Sequence, residues 1–321
     1  MHKLLVSVGV VLGCITAPLS AQPYPAKPIR VVNPFVAGGG VDAIFRPLTQ
    51  KMAESMKATF VIDNRPGANG MIAMEMTAKS PPDGYTVVTG TTGAVSMNMV
   101  VYPKLPYDSL RDFVPISNVA ESAFILSVHP SVPARSVQEL VTLARTRAGQ
   151  LTYSSFGVAS SAHFGAELFA MMTGTKLVHV PYKGSAQAVA ALLGGEVMFS
   201  FDSMQSTMPH IRAHRLRPLG IAAARRSPAA PDIPTVSESG VPGFEVGSWY
   251  GLLAPAHTPH EIVARLHDEV VKALNSPDMR ERLAAVGTEP VGNTPEEFAA
   301  QIRSDIVKWA KVAKAANIHP E

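Results

Sequence analysis

The chain has 321 residues, 46% of them hydrophobic and 17% charged, a globular rather than disordered composition with length for one large or two medium domains. Its formal net charge is only +3. Without a stripe of Lys and Arg or a basic patch interleaved with aromatics, that balance excludes a nucleic-acid footprint, and the denser stretch from Arg212 to Arg226 reads as solvated surface.

At the start of the chain, Met1-His2-Lys3 is basic, Leu4 to Ile15 is apolar, and Leu19-Ser20-Ala21 precedes Gln22. This order is that of a secretory signal peptide, so residues 1–21 are expected to be a leader and the mature protein to be periplasmic. The apolar run is too short to span a bilayer, and no later segment approaches the roughly 18 to 20 residues required. Cys14 is the sole cysteine and falls within the leader. Val11-Leu12-Gly13-Cys14 faintly resembles a lipoprotein cleavage box, although Leu before Gly is not favoured there, so lipid anchoring is the lesser alternative. Cleavage after Ala21 leaves no cysteine, hence no disulfide and no thiol chemistry.

Beyond a Pro-broken lead-in, Ile29 to Asn33 reads as a strand opening onto Pro34-Phe35-Val36-Ala37-Gly38-Gly39-Gly40. A helix follows with Phe45, Leu48, Met52 and Met56 on one stripe. Strands at Thr59 to Ile62 and Thr86 to Thr89 flank a helix around Met71 to Ala78. This alternation predicts a parallel sheet covered by helices. After a Pro- and Asp-rich stretch from Pro103 to Pro115 the rhythm resumes, with strands at Phe124 to Val128, Leu151 to Tyr153, Leu177 to Val180, Val197 to Phe201 and Pro218 to Ala222. Helices are expected from Ser136, which opens a capping box with Glu139, from Ser161, with a stripe of Phe164, Leu168 and Met171, and from Ser185. Thr258-Pro259-His260-Glu261 and Thr294-Pro295-Glu296-Glu297 each predict an N-cap Thr with Pro at the first helical position. The last helix carries Phe298, Ile302, Ile306, Trp309 and Ala313 on one face, a core stripe rather than a cofactor site.

Two α/β units in an exported chain suggest two lobes facing each other across a cleft. The Gly triplet between the first strand and helix lets backbone approach a ligand, and the helix start adds partial positive charge that favours an anion. Neither the spacing of a dinucleotide fingerprint nor a P-loop Lys is present. Tyr153-Ser154-Ser155-Phe156-Gly157-Val158-Ala159-Ser160-Ser161 occupies the equivalent place in the second unit and offers amides and four hydroxyls. Gly90-Thr91-Thr92-Gly93 is a third candidate wall. For catalysis the pattern is empty, with no Gly-x-Ser-x-Gly elbow, no zinc spacing and scattered histidines, of which His163 and His179 are a candidate spatial pair. Asp202 either lines the cleft or caps Ser203, and Asp42 is read as bracing the first helix rather than as a base.

An ordered set of short motifs resembles the periplasmic receptors of the tripartite tricarboxylate transporter family, also called Bug proteins. The set is Tyr24-Pro25-Ala26-Lys27-Pro28-Ile29, Pro34-Phe35 with Ala37-Gly38-Gly39, Asp42 and Arg46, Asn64-Arg65-Pro66-Gly67-Ala68, Pro82-Asp83-Gly84-Tyr85-Thr86, His179-Val180-Pro181-Tyr182-Lys183-Gly184, Gly194-Gly195 and Trp249-Tyr250-Gly251. The resemblance implies a two-lobe α/β fold of the type II periplasmic binding protein class, a Venus flytrap with mainly parallel sheets flanked by helices. Residues 22–124 and 246–321 would form the first lobe and 125–245 the second, with candidate hinges near Phe124 and Trp249. It implies a small carboxylate or amino acid as ligand, held by Phe35, Ala37, Gly38, Gly39, Gly40 and Asp42 against Ser154, Ser155, Gly157, Ser160 and Ser161. Thr91, Thr92, Lys183 and Asp202 would complete the wall. No cofactor and no metal are implied, and the partner would be a permease pair or a membrane sensor serving a monomeric receptor. Met198 stands where relatives often have Asp, and Val41 where a small polar residue is common, so a particular ligand does not transfer. The rival expectations are an exported cleft hydrolase or isomerase using Asp42, His163 or Asp202, and a sensory or scaffold module binding a protein.

Overall fold

One long strand belongs to two sheets. In the computed structural model, which describes residues 24–285 and 287–319, β4 runs over Phe113–Val128, sixteen residues in length. The leader and Cys14 lie outside the described residues. The Phe113 to Ala123 stretch of β4 pairs antiparallel with β9 (Gly247–Pro255), and its Phe124 to Val128 stretch pairs with β7 (Phe199–Ser203). The chain therefore folds as two α/β domains with mixed sheets flanked by helices, joined through this crossover.

The first sheet is built from β1 (Ile29–Asn33), β2 (Phe60–Asn64) and β3 (Thr86–Thr91). β1 lies between the other two, parallel to both, and β3 continues antiparallel to β9. α1 (Gly40–Met56) and α2 (Met71–Ala78) are the crossover connections that parallel pairing requires. The predicted stripe of α1 is buried in full, with Phe45, Leu48 and Met52 packed against Val31 and Leu252. After β3 a π-helical turn, Thr92–Met97, runs into the short α3 (Asn98–Val101).

In the second sheet β5 (Leu151–Ser155) pairs parallel with β6 (Leu177–Pro181) and with β7. β8 (Arg217–Ile221) lies antiparallel to β4. α4 (Val137–Thr146), α5 (Ser161–Thr173), α6 (Ser185–Leu193) and α7 (Met204–Arg212) cover it. Phe124, Phe164, Phe169, Phe201 and Phe244 are each at most 2% exposed and make its aromatic core.

The last segment returns to the first sheet through α8 (His260–Leu274), α9 (Pro277–Ala285) and β10 (Glu289–Pro290), then ends in α10 (Pro295–Ala316). The stripe of α10 serves two cores. Phe298 stands edge-on to Trp249 at 4.9 Å, while Trp309 stands edge-on to Phe164 at 5.4 Å. Aromatic pairs of this geometry add about 0.5–1.5 kcal/mol each beyond area burial.

Several local expectations change. The Pro- and Asp-rich stretch ends inside β4, because Pro115, which cannot donate to the ladder, sits where the register with β9 shifts. Thr258 is not the cap of α8. Its hydroxyl donates to the Pro255 carbonyl and Pro259 takes the cap position. Ser136 does accept from the Glu139 amide, but the Glu139 carboxylate turns to the Arg135 amide instead of closing the box. Met171 is 47% exposed, so the α5 stripe stops at Leu168. Thr294 and Glu297 form the full reciprocal box.

Candidate functional site

Strands β1, β3, β5, β6 and β7 each end in a loop that begins a helix, and these carboxyl ends are where open α/β sheets place ligands. In the first loop the chain turns through Gly38 at φ 78°, a left-handed conformation that glycine adopts without a Cβ clash. Asp42, 5% exposed, accepts from the Gly38 amide at 3.0 Å and from Arg46 at 2.9 Å, so it pins the loop onto its own helix. Burial works to raise its pKa, yet the Gly38 amide and the Arg46 guanidinium outweigh that and hold the carboxyl below the usual range. Asn33 and Asn64 fix the entry to the loop, the first accepting from the Phe35 amide and the second donating to the Phe35 carbonyl. Ala37 is exposed, and Gly39 and Gly40 are partly so. Among the described residues the amides of Gly40 and Val41 find no acceptor, as expected of a helix's first turn.

The second loop spends its hydroxyls on itself. Ser155 donates to the Gly157 carbonyl at 2.9 Å and meets His179 Nε2 at 2.6 Å. Ser160 caps α5 by accepting from the His163 amide, and Ser161 points at Met97 Sδ, 3.7 Å away. Ser154 is fully buried and its hydroxyl is unpaired. Gly157, at φ 131°, and Ala159, at φ 61°, carry the turn. A left-handed Ala costs roughly 1–2 kcal/mol unless its neighbours hold it. Thr91 likewise caps the π-helical turn by accepting from Ala94, and Thr92 accepts from the Trp249 amide. The side chains nominated as hydrogen-bonding walls are therefore mostly loop braces. What the loops leave open are first-turn amides.

Asp202 closes the third side. It is 1% exposed, and its Oδ1 accepts from the Ser185 hydroxyl at 2.8 Å and the Ser203 amide at 2.7 Å, tying the starts of α6 and α7 together. Burial pushes its pKa up to about 7, with the two hydrogen bonds pulling the other way. Tyr250 of β9 is close enough to feel its charge; burial first, then Asp202, moves that phenol up to about 12. Lys183 is exposed, with its amide on the Gln187 side chain.

Contacts between the domains bring these pieces together. A Cβ on Gly40 would lie 3.3 Å from Gln205 Oε1, so the starts of α1 and α7 face one another across the cleft. Gln205 and Tyr250 had not been singled out as site residues from the sequence. Gln205 belongs to no motif, whereas Tyr250 was visible within Trp249-Tyr250-Gly251. The scattered histidines also meet, since His163 and His179 stack at 3.8 Å between ring centroids. Asp42, His163 and Asp202, the acid–base set of the hydrolase or isomerase alternative, form no hydrogen bond to one another. Among the described residues no group of three or more His, Cys, Asp and Glu is placed to hold a metal ion. A separate cavity of about 520 Å³ flanks the crossover strands beside Ala123, Gly247, Arg225 and Glu289, and it reaches the candidate residues only at Thr92.

The family model for the tripartite tricarboxylate transporter family receptor matches residues 44–318. The chain belongs to that receptor family. It is 35% identical to protein BugT of Bordetella pertussis, over 98% of this chain and 97% of that protein. Among solved structures, R. palustris Rpa4515 with adipate superposes with a TM-score of 0.83 at 38% identity, covering 93% of this chain and 100% of the other. MatC from Rhodopseudomonas palustris with bound malate gives 0.78 at 32%, covering 90% and 99%. As a solute-binding receptor of this family, the protein has a type II periplasmic-binding-protein architecture.

Proposed function

We propose that this receptor is a periplasmic protein that captures a small organic carboxylate between two lobes and delivers it to the membrane subunits of a tripartite transporter. The lobes are residues 22–124 with 246–321, and residues 125–245, with the solute between them. The observation that carries this reading is the meeting of helix starts across the cleft, α1 opposite α7 at Gly40 and Gln205. Orphan amides at such starts, with the positive end of each helix dipole, stabilise an anion without importing a cation. Adipate in Rpa4515 and malate in MatC are both carboxylates, which supports the same ligand class here.

An open receptor takes the acid on the Gly38–Gly40 loop. The second lobe then closes over it, bringing up the Ser154–Ser161 loop with Asp202 and Lys183, and the closed form docks on the permease. Closure removes water and strengthens each amide bond to the carboxylate. The receptor acts as a monomer.

Thermal unfolding of the mature, ligand-stripped protein across mono-, di- and tricarboxylates, aromatic acids and amino acids tests this. One acid at a hundred times its Kd should add about 2.7 kcal/mol and raise the Tm by several degrees, saturably. A flat response from folded protein across the whole panel would sink the carboxylate reading.

A further inference from the structure

We infer that His163 and His179 are positioning residues that hold the β5–α5 loop in its ligand-binding shape, an inference that rests on the cleft reading above. Three aromatic rings from three elements pack in one cluster around His179. Tyr153 of β5 lies 5.0 Å from His179 of β6 at 19°, and His179 lies 3.8 Å from His163 of α5 at 15°. Each histidine then reaches one end of the loop. His179 Nε2 meets Ser155 Oγ at 2.6 Å, and His163 Nδ1 accepts from the Ala159 amide at 3.2 Å.

One tautomer is fixed by the backbone. Ser155 Oγ and His179 Nε2 share a short hydrogen bond, while the Gly157 carbonyl and amide also approach the hydroxyl. His163 Nδ1 accepts, so its proton sits on Nε2. Accepting at Nδ1 requires a neutral His163 ring, and two charged rings at this spacing would repel. Burial, and for His163 the neighbouring ring, agrees by depressing their pKa values to about 3 and about 4. Between the two anchors stand Gly157 and Ala159, both at positive φ. A loop of that shape, bonded at its entry and exit to one packed ring cluster, presents its helix-start amides in one orientation. Glu167, bonded to the Tyr153 hydroxyl at 2.6 Å, secures the tyrosine side of the cluster.

H163F and H179F keep a stacking ring and remove the anchoring bond; H163N and H179Q restore an acceptor at the Nδ1 position and a hydrogen-bonding amide at the Nε2 position. Amide hydrogen exchange by NMR and titration with adipate and malate are read on all four proteins and the wild type. The loss of one such bond should speed exchange at Ala159 in H163F and at Gly157 in H179F by about tenfold and weaken acid binding about tenfold. The Asn and Gln variants should recover both, at unchanged Tm. Wild-type exchange in the Phe variants overturns the inference, as does equal failure of all four variants in step with a fallen Tm. If the exchange pattern holds but the wild type takes neither acid, the ring cluster positions the loop and it is the carboxylate reading that fails.

Discussion

Asp202→Asn separates the charge of this carboxyl from its shape. In the wild type the group is 1% exposed and holds the hydroxyl of Ser185 and the amide of Ser203 on one oxygen. Its folded pKa is raised from 3.8 to about 7. The folded protein thus keeps a proton that the unfolded chain has already released. That contribution to stability is complete below pH 3.8 and is lost as pH rises through about 7. Moving the pKa from 3.8 to about 7 is worth on the order of 4 kcal/mol. An Asn keeps the accepting oxygen for both hydrogen bonds and cannot ionise. Urea unfolding of both ligand-free proteins at steps from pH 4 to pH 8 gives the difference in stability at each pH, and titrations shared by the two cancel. The Asn protein should gain on the wild type steadily between pH 4 and pH 7, by on the order of 4 kcal/mol in total. A difference constant to within about 0.5 kcal/mol would refute the reasoning. It would mean that the dipoles of α6 and α7 hold Asp202 as an anion throughout.

Two further substitutions test neighbouring parts of the structure. Gly39→Val should leave the fold within about 1 kcal/mol of wild type, because φ −77° suits Val and the new Cβ meets only the Val36 carbonyl, at 3.3 Å. Its γ-carbons would cover the Gly40 amide, so calorimetric titration should show carboxylate affinity down at least about 100-fold, a loss of some 2.7 kcal/mol; unchanged affinity would remove this loop from the site. Thr294→Ala deletes the acceptor of the Glu297 amide, 3.2 Å away, and should cost about 1 kcal/mol, read as a Tm lowered by a few degrees with ligand affinity intact.

The order of elements was legible because each is written in local spacing. The stripe Phe45, Leu48, Met52 turns α1 to the core, and Thr294 with Glu297 marks the start of α10 by bonds between residues three apart. The β1–α1 and β5–α5 loops were legible for the same reason, as small-residue segments joining a strand to a helix. Their division of labour was not. The Ser, Thr and Asp side chains that suggested ligand contacts have nearby backbone groups as partners, as Ser155, Ser160, Thr91 and Asp42 show. A hydroxyl placed beside its own backbone is captured there before a ligand arrives. Thr258 misled in the opposite way, since the Pro255 carbonyl competed for a residue whose spacing predicted a cap.

By itself the sequence determined the strand–loop–helix units, the apolar faces that must be covered, and the ordered motifs of a receptor family. Only the tertiary structure decided that β4 continues from one sheet into the other, that α10 seals both cores, and that Gln205 faces Gly40 while Tyr250 lies near Asp202. Periodicity and capping are set by interactions within a few residues along the chain. The stack of His163 on His179, and the approach of Gly40 to Gln205, depend instead on where distant segments come to rest once their apolar faces are buried together.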